Sequence, residues 1–192
     1  LAAARVKMMT VDEISKRLDD RFRLLKGGAR TTIPRQQTLR SMIDWSYNLL
    51  SEQEKILFRR LAVFVGGWTL EAAEAVCGGE GSEGLESNQI LDLLSQMINK
   101  SLVLVETRRA ESRFHFLETI RQYALEQLSE AKEASAMLAK HLAYFVKLAE
   151  EAEPELYRSD QIVWMNKLDD ELDNLRLALE WAIAADAKLG LR

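Results

Sequence analysis

Between Ser101 and Leu128 the hydrophobic pattern changes period, and that constrains the fold more than any other stretch of the chain. Ser101-Leu102-Val103-Leu104-Val105-Glu106-Thr107 is rich in β-branched residues and reads as a buried strand. Arg108-Arg109-Ala110-Glu111 is a charged turn. Ser112-Arg113-Phe114-His115-Phe116-Leu117 then alternates at period two, as a half-buried return strand should. Directly after it, Ile120, Tyr123, Ala124 and Leu128 recur at helical spacing.

Helical patterns surround this lone hairpin. Thr10-Val11-Asp12-Glu13 is a capping box that opens a helix to about Arg23, and Thr31 to Pro34 reads as a break. Thr38 caps the next helix, with Leu39, Met42, Ile43, Ser46 and Leu50 on one face. Ser51-Glu52-Gln53-Glu54 is a second capping box, followed by Leu57, Phe58, Leu61 and Ala62. Thr69 caps a short helix that ends at Cys77-Gly78-Gly79, and Ser87 caps one carrying Ile90, Leu91, Leu94, Met97 and Ile98. Beyond the hairpin lie two long stripes. Leu138, Leu142, Phe145, Leu148, Ala149 and Ala152 form one, ended by Pro154; Leu168, Leu172, Leu175, Leu179 and Ala182 form the other. Short helices plus one hairpin predict a mainly α chain built on a winged helix, followed by an antiparallel helical pair.

Composition bounds the class. A content of 47% hydrophobic and 29% charged residues is that of a globular chain rather than a disordered one. No apolar run reaches the ~18 residues of a membrane span, and Cys77 stands alone, which excludes a disulfide framework. The expected location is cytoplasmic, with no membrane partner. Leu1-Ala2-Ala3-Ala4-Arg5 reads as the middle of a helix, so the expectation is a piece of a longer polypeptide. Residues 1–60 carry 13 Lys+Arg and 7 Asp+Glu, or +6; the whole chain is −4, leaving −10 on the remainder. That acidic remainder is a poor partner for a phosphate backbone.

Candidate chemistry is sparse. Gly79-Glu80-Gly81-Ser82-Glu83-Gly84 is a literal G-x-G-x-x-G, but it follows a short helix instead of a strand. Leu85-Glu86 stands where a phosphate loop needs Lys-Ser/Thr, and the glutamates would repel phosphate. His115 and His141 lack a second ligand at metal spacing, so no metal site is expected. Cys77 has no paired base and no serine sits on a nucleophile elbow, so no catalytic residue is assigned. The helix over 88–100 would be the recognition element of a winged helix. It holds one Asp, one terminal Lys and no Arg, with apolar residues on more than one face. Arg108, Arg109 and Arg113 on the wing are interleaved with Glu106 and Glu111 and read as a solvated turn. Such a helix would neutralise almost no phosphates, so direct DNA contact is not expected and its apolar surface should pack on other domains.

Four segments carry a family resemblance. Arg35-Gln36-Gln37-Thr38-Leu39-Arg40-Ser41-Met42-Ile43-Asp44-Trp45-Ser46-Tyr47-Asn48-Leu49-Leu50 resembles part of bacterial signal-transduction ATPases of the NB-ARC/STAND type, which occur in LuxR-family and SARP-family transcriptional regulators. The similarity continues through Leu57 to Cys77, through Phe116-Leu117-Glu118-Thr119-Ile120-Arg121-Gln122-Tyr123-Ala124, and through Glu171-Leu172-Asp173-Asn174-Leu175-Arg176. The resemblance implies three parts: residues 1–33 the end of a helical lid of an ATPase module, 34–131 a winged-helix domain, and 132–192 the start of TPR-like repeats. ATP or ADP with Mg would belong to the parent protein, upstream of Leu1, so this segment is not expected to be an enzyme. The implied partners are that upstream nucleotide-binding domain and an effector or protein on the helical repeats. Phe116, Leu117 and Glu118 match the position of the family's ADP-sensing Met-His-Asp. Leu117 replaces the histidine, and an isobutyl group cannot bond a phosphate; His115 lies nearby. Glu118 is expected to cap the following helix.

Overall fold

The computed structural model describes residues 33–79, 85–109 and 111–185. The chain divides into two compact units between Leu50 and Ser51. In the first, α1 (Ile33–Asn48) is one continuous helix with Thr38 inside it. Pro34 falls in its first turn, where a missing N–H breaks no helical hydrogen bond, so neither the expected break at Pro34 nor the cap at Thr38 occurs. The Thr10 capping box and the glycine-rich motif after Gly79 lie outside the described residues.

The second unit opens with α2 (Glu52–Arg60), which tightens into a 3-10 turn over Leu61–Val63. Its capping box forms as expected: the Glu54 amide donates to Ser51 Oγ at 3.3 Å, and the Ser51 amide donates to Glu54 Oε2 at 2.7 Å. Thr69 likewise caps α3 (Leu70–Cys77), accepting from the Ala72 amide at 3.2 Å. α4 (Ser87–Asn99) follows, but its N-cap is Glu86, without a side-chain hydrogen bond, and Ser87 is already helical.

The hairpin pairs β1 (Leu104–Arg108) with β2 (Glu111–His115), antiparallel, with Arg108 opposite Glu111. All of β1 is exposed. The buried residues of the expected strand, Leu102 and Val103, precede it, so the apolar run closes α4 onto the core instead of forming an internal strand. Trp68 adds a third edge: its amide donates to the Phe114 carbonyl at 2.8 Å and its carbonyl accepts from the Phe114 amide at 2.9 Å. Gly67, at φ +101°, permits this approach, since a Cβ there would lie 2.6 Å from the Phe114 carbonyl oxygen.

α5 (Glu118–Glu130) packs on α2, and α6 (Ala134–Glu155) packs on α3 and α5. The last stripe is two helices, α7 (Gln161–Asp170) and α8 (Leu172–Ala185), both against α6. Its leucines do not lead inward: Leu172 and Leu179 are exposed, whereas Glu171, Asn174, Ala178 and Ala182 are buried. The small alanines allow close helix approach and the two polar residues find buried partners, described below. Pro154 does not end α6, which includes it one residue before its terminus.

One core joins the winged helix to these helices. Its spine is aromatic: Phe58 to Phe116 at 5.2 Å, Phe116 to Trp68 at 5.0 Å, Trp68 to Phe64 at 5.7 Å and Phe64 to Phe145 at 6.4 Å between ring centres. Burying side chains of this size contributes roughly 2–3 kcal/mol each. Arg59 and Arg60 at the end of α2 grip Glu133 from both oxygens, at 2.7 and 3.0 Å, fixing the α5–α6 junction.

Candidate functional site

The helix-turn-helix consists of α3 and α4. The intervening loop is closed by the Gly79 amide donating to the Leu85 carbonyl at 3.1 Å. α4 is amphipathic: Ile90, Leu93, Leu94 and Met97 are buried in the domain's own core. This corrects the expectation that its apolar content serves other domains. The opposite face presents Asn88, Leu91, Asp92, Ser95, Gln96 and Asn99 to solvent. Lys100 at its end donates to Glu54 at 2.5 Å, so that cation already has an anion. The face is polar and close to neutral.

Arg108 and Arg109 are exposed, as a solvated turn requires, but the third wing arginine is not. Arg113 turns back from β2 and is buried, donating to Glu171 Oε1 at 2.5 Å and Oε2 at 3.2 Å, and to the Gly67 carbonyl at 3.2 Å. Asn174 completes the network. Its Nδ2 donates to the Gly67 carbonyl at 2.9 Å and to Glu171 Oε2 at 2.7 Å, and its Oδ1 accepts the Val65 amide at 2.7 Å. Every member is hydrogen-bonded, which is what a buried charge requires. Further out, Arg108 Nε lies 3.0 Å from Asp170 Oδ1, and Arg109 Nη1 donates to Asp170 Oδ2 at 2.9 Å and to the Asn166 carbonyl at 2.6 Å. Arg109 Nη2 is 3.6 Å from Asp169. Three wing arginines thus face three successive acids at the α7–α8 junction.

Behind the wing lies a cavity of about 550 Å³ lined by Thr69, Leu70, Tyr144, Leu148, Val163 and Lys167 together with the arginine–aspartate cluster. Its size is that of a small-molecule site. Burial, helped by the nearby Glu71 carboxylate, pushes the Tyr144 hydroxyl up to about 12, so it stays protonated as a donor.

The four residues of the sensor-like segment separate. Phe116 is committed to the core, stacked against Phe58 and Trp68. Leu117 is half exposed and is the N-cap of α5, with no side-chain cap hydrogen bond. Glu118 sits in the first turn beside Arg121 at 3.3 Å; it faces the positive end of the helix dipole but does not occupy the cap. His115 is partly buried, and its Nδ1 has no hydrogen-bond partner. His141, flanked by Phe64 and Phe145 at 5.4 and 4.5 Å, is fully buried with Nε2 3.5 Å from Asn174 Oδ1. Among the described residues no group of three or more His, Cys, Asp or Glu could hold a metal, and no helix is long and apolar enough to cross a membrane.

The Glu171–Asn174 pair was invisible as a site in the sequence. Its only signal is two polar residues three apart beside a leucine stripe, and their partner Arg113 is 58 positions away.

Three helices closed by a two-stranded wing, with a helix-turn-helix at their centre, define a winged helix-turn-helix domain. Residues 50–129 match the family described as the winged helix-turn-helix domain. The chain is 45% identical over 181 residues to proteins of Mycobacterium tuberculosis and Mycobacterium bovis named "Putative HTH-type transcriptional regulator", covering 94% of this chain and 20% of theirs. It is 43% identical over 141 residues to an uncharacterized protein of Mycobacterium tuberculosis, covering 73% of this chain and 35% of that one. The chain therefore spans between a fifth and about a third of the length of these relatives. No solved structure gives a significant match.

Proposed function

We propose that this chain is the regulatory winged-helix and helical segment of a multidomain transcriptional regulator of the STAND ATPase type. In this reading the winged helix makes contacts with protein, and it couples the nucleotide state of an upstream ATPase module to effector sensing by the helical repeats. The supporting observation is the docked wing: its arginines answer acids of α7 and α8. With Lys100 paired to Glu54, the outward face of α4 offers almost no cation to a phosphate backbone. The hairpin and the helical repeats are therefore mechanically linked, so a ligand that favours one arrangement shifts the other. The cavity behind the wing is where an effector would bias that link.

The test joins this segment to its upstream nucleotide domain and follows release of a fluorescent ADP. Disrupting the Arg113–Glu171 contact should change the release rate several-fold; an unchanged rate in a folded variant contradicts the coupling. An upstream G-x-x-x-x-G-K-[ST] sequence would support the ATPase class.

A second reading, a DNA-binding regulator that dimerises through its C-terminal helices, has its own support. The solvent face of α4 carries Asn88, Ser95, Gln96 and Asn99, side chains able to hydrogen-bond base edges. Ile162, Val163, Met165 and Ile183 leave apolar surface exposed on α7 and α8. Sedimentation and a duplex titration separate the two readings, since the second requires a dimer and the first does not.

A further inference from the structure

We propose that the cavity behind the wing binds a small zwitterion with an apolar body, of the amino-acid or dipeptide class, which would join α7 to α3. The proposal gives the effector of the functional reading above its chemistry. It rests on that reading for the effector's role and not for the binding itself.

Most charges around the cavity already have partners. Arg113 is tied to Glu171 in the buried network, and Asp170, only 16% exposed, receives both Arg108 and Arg109. That wall is committed to holding hairpin and helices together. Three lining charges are left over. Lys167 of α7 is half-buried, its ammonium 5.0 Å from the centre of the Trp164 ring, and it forms no ion pair among the described residues. Glu71, in the first turn of α3, and Glu111, at the start of β2, stand at the exposed margin and likewise form none.

An amine without a counter-ion and carboxylates without theirs, in one cavity, narrow the choice of ligand. A simple anion would satisfy Lys167 but meet two carboxylates, and a multiply charged anion would be repelled further. A simple cation meets the opposite difficulty at Lys167. A neutral molecule carrying both charges answers all three residues. Its carboxylate has a second donor in the Tyr144 hydroxyl, which burial keeps protonated. The rest of the lining includes the apolar side chains of Leu70, Leu148 and Val163. Apolar walls with a few fixed polar groups are what orient a small ligand. A space of about 550 Å³ admits a dipeptide as well as a free amino acid.

The experiment is an amide NMR titration of the 192-residue chain with L-leucine, L-phenylalanine and L-leucyl-L-leucine. At least one should saturate with a Kd of about 1 mM or tighter, shifting amides of α3, β2 and α7. Tighter binding by the dipeptide identifies a peptide site, and tighter binding by a free amino acid an amino-acid site; both uphold the proposal. The N-acetyl form of the tightest binder lacks the ammonium, and its C-terminal amide lacks the carboxylate. Each should bind at least about tenfold more weakly, and neither comparison depends on a variant folding. Lys167→Met should weaken the zwitterion by a similar factor and leave the amide form unchanged. Glu71→Gln/Glu111→Gln should weaken the zwitterion and leave the N-acetyl form no weaker. Saturation by none of the three zwitterions overturns the proposal. So does equal binding of the zwitterion and its N-acetyl form, or shifts confined to the exposed apolar residues of α8. ADP release that responds to the Arg113–Glu171 contact while no zwitterion binds would sink this inference alone. Zwitterion binding with unresponsive ADP release would sink the functional reading alone.

Discussion

Arg113 on the hairpin and Glu171 at the start of the last helix form a two-pronged ion pair, at 2.5 and 3.2 Å, with both side chains almost removed from water. This pair decides how the wing is held. Removing one partner leaves a buried charge without its counterpart, which costs about 3–5 kcal/mol, whereas replacing both by apolar residues of similar volume is often near neutral. Arg113→Met or Glu171→Leu alone should each lower the denaturant midpoint strongly. The double variant should recover most of that loss. Additive single effects in a double-mutant cycle would contradict the assignment.

His141 gives stability a pH signature. Burial drives its imidazole down from 6.5 to about 4, opposed only weakly by the hydrogen bond to Asn174. The folded state therefore holds the ring neutral where the unfolded state would protonate it. The sign follows: this contribution is complete above pH 6.5 and is lost as pH falls toward 4. At 1.36 kcal/mol per pH unit it amounts to about 3 kcal/mol. His141→Phe, between Phe64 and Phe145, should flatten the stability curve between pH 6.5 and 4. Glu54 and Glu133 are both held below the ordinary 4.5: burial pushes each up, but Lys100 for one and Arg59 and Arg60 for the other outweigh it. They are lost lower in pH, so the difference between wild type and variant isolates the histidine.

Cys77 is the chain's one cysteine, fully buried. Burial pushes its thiol up to about 12 against the pull of Arg60 and Lys140. Thiolate is the reactive form, so the native protein should resist a thiol reagent at pH 8. Labelling should follow global opening and accelerate with denaturant. Fast labelling of folded protein would show that the α2–α3 core is open.

What the sequence revealed and what it concealed divide along the range of the interactions. Ser51 and Glu54 are three residues apart, and Thr69 caps a helix from within one turn, so both motifs were legible. The hairpin turn and the apolar periodicity of α5 were legible for the same reason. Helical spacing does not say which face is buried, however. Leu168, Leu172, Leu175 and Leu179 have the same period as Glu171, Asn174 and Ala178; of the expected stripe Ala182 is buried, but Glu171 and Asn174 face inward in place of the leucines because Arg113 and the Gly67 carbonyl supply their partners. The apolar side of α4 was misassigned in a similar way, since only the packed domain shows that its own core absorbs it.

Gly67 is a local test of the wing's attachment. Its φ of +101° and the 2.6 Å approach of the Phe114 carbonyl leave no room for a methyl group. Gly67→Ala should cost at least about 2 kcal/mol through strain and loss of the Trp68–Phe114 pairing. Amide exchange at Trp68 and Phe114 should accelerate more than exchange in α5. Uniform acceleration would mean that the bridge is not where the damage begins.

The proposed function rests on two observations, the wing's arginines paired with the chain's own acids and the nearly uncharged face of α4, and it requires that this domain not grip a polyanion by itself. The slope of log affinity against log salt for the unmodified chain with duplex DNA measures this most directly. The account predicts weak binding with a slope shallower than about −1, because fewer than two phosphates are neutralised. Tight binding with a slope of about −4 or steeper would contradict it.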